Sequence, residues 1–137
     1  MQFHSQSFED TVKFGEKFGC SLRGGEVIIL SGVLGSGKTA FTKGIALGIG
    51  IRETVTSPSF SILNEYTGKI DLYHFDFYRI GDYTEMENLL EDYIYRNRGV
   101  VVIEWGESIL QSIQAYIYVQ FKLTDSGRVI SIERRNS

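Results

Sequence analysis

Apolar and polar positions change period several times along the chain. QFHSQ (2–6) predicts a short first strand. Ser7 then stands three residues before Asp10, at capping-box spacing. Phe8, Val12, Gly15, Phe18 and Leu22 follow at helical intervals, and RGG (23–25) ends that helix. EVIILSG (26–32) is a short apolar run, the mark of a buried strand. AFTKGIALGIG (40–50) predicts a helix with Phe41, Ile45 and Gly48 on one face. SFSILNEY (59–66), the turn TGK and IDLYHFDFYR (70–79) predict a hairpin. Thr84 and Glu87 repeat the capping-box spacing, with Met86, Leu89, Leu90 and Tyr93 as the buried face of a short helix. GVVVIEWG (99–106) predicts another buried strand. AYIYVQFKL, the turn TDSG and RVISIER close the chain as a hairpin with period-two alternation. Strands and helices mixed in this way predict an α/β sandwich with a mostly parallel centre and antiparallel additions.

The glycines and hydroxyls between the second strand and its helix change the picture from fold to chemistry. GVLGSGKT (32–39) fits G-x-x-x-x-G-K-[ST] without a mismatch. Gly32, Gly35 and Gly37 accept backbone angles that other residues resist, and they leave room for phosphate oxygens. The amides from Leu34 through Ser36 to Thr39 can then face inward as an anion nest, and the helix that follows adds its positive end. Lys38 is expected to reach the β- and γ-phosphates, and the Thr39 hydroxyl to bind Mg²⁺. A glycine-rich strand-to-helix turn can produce such a pattern by chance. The apolar strand before it and the apolar-faced helix after it supply the context that the motif requires. The expected architecture is therefore a three-layer P-loop NTPase-like fold, as one domain over residues 1–137.

A P-loop site needs a carboxylate near its metal, usually at the end of a neighbouring buried strand. VVVIEW supplies Glu104 there. Such a carboxylate either ligates the ion or merely leaves the sheet for solvent; a cation would offset its burial. Trp105 packs, or covers the site. In LYHFDFYR, alternation puts Tyr73, Phe75 and Phe77 on one side and Leu72, His74, Asp76 and Tyr78 on the other. Nothing in a core needs His74 and Asp76. Asp76 can orient a water or reach the metal through one, whereas His74 is equally readable as structural or catalytic. TSPSF (56–60) clusters hydroxyls around Pro58, as a γ-phosphate-sensing segment or a capped turn.

Composition narrows the possibilities. Over 137 residues the net charge is −3, with 42% hydrophobic and 23% charged residues. RNR (96–98) and ERR (133–135) are the only basic clusters and read as solvated surface. No stripe of the kind that grips nucleic acid is present. No apolar run is long enough to span a bilayer. The N-terminus has neither a basic head nor an apolar stretch, so a secretion signal is not expected and the cytoplasm is. The single cysteine, Cys20, is expected as a small core residue.

Taken in order, GVLGSGKT, TSPSFSILNEY, YHFDFYR and VVVIEWGE resemble the TsaE (YjeE) family of small bacterial P-loop ATPases, from FEDTVKFGEKFG to the last hairpin. The resemblance implies a cytoplasmic protein that binds and slowly hydrolyses ATP with Mg²⁺. It implies a role in N6-threonylcarbamoyladenosine formation on tRNA, beside a TsaB–TsaD heterodimer. By position it implies Lys38 and Thr39 as the phosphate-loop lysine and metal ligand, Glu104 as second metal ligand, and Asp76 as the carboxylate needed for hydrolysis. It also implies that Phe8 or Glu9, and Arg128, border the adenine. Ser59 departs from the threonine usual in the family, keeping the hydroxyl and losing the methyl. A small-molecule kinase and a nucleotide-gated binding module are the competing readings. A GTPase is disfavoured, since no N-K-x-D stretch exists to read guanine.

Overall fold

The computed structural model describes residues 1–137 except 57, 59–61, 79–81, 97 and 137, with backbone alone at 95, 96 and 136. TSPSF therefore falls largely outside the described residues, as do Ser59, Arg79 and the start of the SFSILNEY strand.

Among the described residues, eleven elements follow one another: β1 (Gln2–Ser5), α1 (Phe8–Cys20), β2 (Val27–Ser31), α2 (Lys38–Gly48), β3 (Leu63–Tyr66), β4 (Leu72–Asp76), α3 (Tyr83–Arg96), β5 (Val100–Glu104), a 3-10 helix (Glu107–Ser112), β6 (Ala115–Thr124) and β7 (Gly127–Asn136). The strands join in one sheet ordered β1-β7-β6-β2-β5-β4-β3. The central four, β6-β2-β5-β4, are parallel. β7 and β1 add antiparallel at one side and β3 at the other. This is the expected α/β architecture, with β3–β4 and β6–β7 as the two expected hairpins.

The two innermost strands, β2 and β5, are apolar on both faces, so both must be covered. Ile28 and Leu30 of β2, Leu72, and Val100 and Val102 of β5 pack with Phe14 of α1 and Phe41 and Ile45 of α2. Ile29, Phe75, Phe77, Val101 and Ile103 pack on the other face with Met86 and Leu90 of α3 and Ile109 of the 3-10 helix. Helices on both faces of the sheet give the three layers. Tyr73, Phe75 and Phe77 lie together on the α3 side, as alternation requires.

α1 crosses α2 at unusually short range. A Cβ on Gly15 would lie 2.5 Å from the Phe41 carbonyl oxygen, and one on Gly48 would lie 2.5 Å from the Glu16 oxygen. A Cβ on Gly19 would meet the Ile45 oxygen at 2.7 Å, and one on Gly44 would overlap the Val12 oxygen. Two glycine pairs spaced by four residues thus let the two backbones touch, which fixes the helix carrying Lys38 and Thr39 against its neighbour.

Four helical details differ from the sequence expectations. The buried face of α1 runs through Thr11, Phe14, Gly15 and Gly19, and Phe8 is exposed. Cys20 is also exposed, because the α2 contact passes through Gly19 and the next residue turns about 100° away. On α3, Leu89 is exposed while Ile94 packs inward. The α3 cap is Asp82: its Oδ1 accepts from the Thr84 and Glu85 amides at 2.9 and 3.2 Å. Glu87 instead accepts from the Ser112 hydroxyl at 2.8 Å. At α1 the expected cap is present, with Ser7 Oγ accepting from the Asp10 amide at 3.0 Å.

Among the described residues no helix is long and apolar enough to cross a membrane.

Candidate functional site

β2 ends at Ser31 and α2 begins at Lys38, so the GVLGSGKT loop lies at the carboxyl edge of the sheet. Gly35 and Gly37 take φ values of 79° and 112°, in the region where a Cβ would be strained. Gly37 is the N-cap of α2 and has no side chain to satisfy the amides above it. The dipole of the helix that starts here adds to the pull of this turn on an anion. Ser36 is fully buried within the loop, and its Oγ has no hydrogen-bond partner among the described residues.

Lys38 leaves the first turn of α2 and bends back over the loop. Its Nζ donates to the Gly32 carbonyl at 2.8 Å and lies 4.0 Å from the centroid of the Trp105 ring. Burial holds its pKa below the usual lysine value, and Glu104, Glu107 and Asp76 oppose that shift.

Two of the three acids that act on Lys38 close adjacent strands of the sheet. Glu104 closes β5 directly beside Leu30 of β2, and Asp76 closes β4 directly beside Glu104. By alternation, Leu30, Glu104, Asp76 and His74 point to the face that carries α2. Glu104 is only 4% exposed, so it does not leave the sheet for solvent. His74, 0% exposed, approaches it, with Nε2 2.6 Å from Glu104 Oε2. Asp76 is half-buried and accepts from the Tyr78 amide at 3.0 Å. Burial raises the pKa of Asp76. The Tyr78 bond lowers it, Glu104 adds to the rise, and His74 and Lys38 work against it.

The other expected residues are placed around this centre. Arg128, next to Gly127 on β7, lies over the loop: a Cβ on Gly37 would be 2.8 Å from its Nη1. Its Nε is buried with no partner among the described residues. Phe8 is 50% exposed at the first residue of α1, with Lys43 Nζ of α2 at 5.6 Å from its ring centroid. Glu9 lies beside it in the first turn and is exposed. Thus Lys38, Asp76, Glu104 and the loop 32–39 share one edge. Arg128 touches that loop, and Phe8 stands by the flank of α2. The charge of Glu107, at the start of the 3-10 helix, also acts on Lys38, an influence that no spacing rule in the sequence announced.

The donor set suits Mg²⁺. It combines a hydroxyl on the first turn of α2 with a carboxylate at the end of the adjacent strand, both hard oxygens. No group of three or more His, Cys, Asp or Glu among the described residues could hold a metal by itself.

A phosphate-binding loop at the carboxyl edge of a parallel sheet, with buried acids on the adjacent strand ends, defines a nucleotide-binding P-loop protein. The family model described as "Threonylcarbamoyl adenosine biosynthesis protein TsaE" matches residues 5–135. The chain belongs to the TsaE family. It is 38% identical over 134 residues to the tRNA threonylcarbamoyladenosine biosynthesis protein TsaE of Treponema pallidum, covering 96% of this chain and 99% of that one. The protein of the same name from Nostoc sp. is 40% identical over 123 residues, 87% of this chain and 76% of its own. The crystal structure of Bacillus subtilis YdiB superimposes with a TM-score of 0.82 at 31% identity, covering all of this chain and 86% of that one.

Proposed function

We propose that this protein is a Mg²⁺-dependent ATPase, slow by itself, that supports N6-threonylcarbamoyladenosine formation on tRNA together with a TsaB–TsaD complex in the cytoplasm. The observation that carries the reading is the convergence of Lys38, Glu104 and Asp76 on the loop at one sheet edge. In this reading the amides of residues 34–39 and the Lys38 ammonium hold the triphosphate, and Ser36 Oγ gains a partner there. Thr39 and Glu104 hold Mg²⁺, which when bound neutralises charge on the phosphate oxygens. Asp76 orients the attacking water and accepts its proton. A carboxylate whose pKa is raised by burial is the better base for that step. Arg128 and Phe8 border the nucleoside. Since the chain carries a net charge of −3, tRNA is handled mainly by the partner proteins.

The test is a titration of ATP and GTP with and without Mg²⁺, repeated with the purified TsaB–TsaD heterodimer. ATP is expected to bind in preference to GTP, and hydrolysis to be slow alone and faster with the heterodimer. Undiminished tRNA modification by the complex after Lys38→Ala would refute the ATPase role, and phosphoryl transfer to a metabolite would favour a kinase.

A further inference from the structure

We infer that His74 is a positioning residue for the metal: its Nε2–H pins one oxygen of Glu104, so that the other faces the divalent ion. The inference rests on the magnesium–nucleotide reading of the site and adds to it a residue that the loop motif does not contain.

The two side chains belong to neighbouring parallel strands, β4 and β5, and both point to the α2 face. Nε2 and Oε2 are 2.6 Å apart, with side-chain exposures of 0% and 5%. An ionised carboxylate only accepts, so the proton of this bond lies on Nε2. Nδ1 has no partner among the described residues. A neutral ring with its proton on Nε2 leaves a bare acceptor at Nδ1, whereas a second proton would leave a buried donor unmet. The contact thus selects one tautomer, and the short strand-to-strand reach fixes the ring.

A buried carboxylate without that bond is free to rotate about its last torsion, which is broad. It would then present either oxygen, or neither, to an ion. With Oε2 occupied by the imidazole, Oε1 remains for the metal side. Outer contacts of this kind usually alter metal affinity 10–100-fold. The rival account, a histidine that only fills the core, predicts a change in stability and none in metal affinity.

Two substitutions separate the accounts. His74→Leu removes the donor at similar bulk, and His74→Gln keeps an N–H of similar reach. Mn²⁺ binding to each ADP complex is followed by electron paramagnetic resonance, and ADP binding is measured separately without metal. His74→Leu is expected to weaken Mn²⁺ about 10–100-fold, His74→Gln to stay near wild type, and metal-free ADP affinity to be unchanged in both. Wild-type Mn²⁺ affinity in His74→Leu overturns the inference, as does an equal loss of metal-free ADP binding. If the wild-type ADP complex takes up no Mn²⁺, the magnesium reading falls and this inference with it. Should His74→Leu fail to fold, ¹⁵N spectra of the wild-type imidazole decide. A proton on Nε2 supports the inference, and a proton on Nδ1 overturns it.

Discussion

The Lys38 ammonium lies 4.0 Å from the centroid of the Trp105 ring, and Trp105 is the one described non-glycine residue with a positive φ, 62°. The left-handed angle turns the chain straight after Glu104, so the ring returns over the loop, where Tyr78 packs on it at 4.9 Å between centroids. Backbone strain at this point is the cost of setting an aromatic face against the phosphate-loop lysine.

That strain can be measured by comparing two truncations. Trp105→Ala and Trp105→Gly both remove the ring, but only glycine relieves the angle. Trp105→Gly is expected to be the more stable of the two by about 1 kcal/mol in urea unfolding, after allowing for glycine's larger unfolded-state entropy. Trp105 is also the single tryptophan of the chain. Its emission should change when a nucleotide draws Lys38 off the ring, and Lys38→Met should abolish the change. Equal stability of the two truncations would mean that the turn carries no strain.

Asp76 gives a prediction with a pH sign. Burial raises its pKa, so the folded protein holds this proton more tightly than the unfolded chain does. The stability it contributes therefore falls as pH rises from the ordinary carboxylate range through the raised value. Asp76→Asn removes the burdened charge while its side-chain oxygen still accepts from the Tyr78 amide. The variant is expected to melt up to about 4 °C higher at pH 7, corresponding to at most about 1 kcal/mol for a half-exposed and partly screened group. The gain should vanish near pH 3, where wild-type Asp76 is already protonated. ATP hydrolysis should fall about 10²–10⁴-fold in the same variant. A lower melting temperature at pH 7 would show that the ionised form is the better partner of its surroundings.

Arg128 tests which part of the nucleotide meets the last hairpin. Its guanidinium lies against Gly37 at the start of α2. Arg128→Ala is expected to weaken ATP about tenfold, the worth of one stacking or charge-assisted contact. Binding of inorganic triphosphate should be untouched. Loss of both ligands together, in calorimetric titrations, would assign Arg128 to the phosphates instead of the nucleoside.

Much of this was legible in the sequence because the governing rules are local. Strand alternation separated Phe75 from His74 and Asp76, and the loop motif needed only its own eight residues and the elements beside them. The end of β5 was readable because an apolar run finishes in Glu104. What escaped depended on pairs distant in sequence. His74 is thirty residues from Glu104, and only the β4–β5 register makes them partners. Thr84 matched a cap by spacing, but Asp82 two residues earlier took that place, since the helix begins at Tyr83. Leu89 and Cys20 look apolar enough to bury, yet helix phase is set by the partner surface, and theirs turns outward.

The α1–α2 crossing is the clearest case of a feature visible only in retrospect, and it makes the strongest stability prediction. Gly15 and Gly19 on one helix face Gly44 and Gly48 on the other, each lying against main-chain atoms. On intrinsic propensity alone, Gly→Ala within a helix should stabilise by about 1 kcal/mol. Here the added methyl meets a backbone carbonyl, which cannot turn aside as a side chain can. Gly15→Ala and Gly44→Ala are therefore expected to destabilise by about 1–3 kcal/mol net, since overpacking outweighs propensity. Leu47→Ala on the exposed side of α2 should stay within about 0.5 kcal/mol of wild type. Because α2 carries Lys38 and Thr39, the glycine variants should also lose nucleotide affinity, and saturating Mg²⁺–ATP should restore part of their melting temperature. A stabilised Gly44→Ala would mean that the helices separate at no cost, and the phosphate loop would then owe its position to the sheet alone.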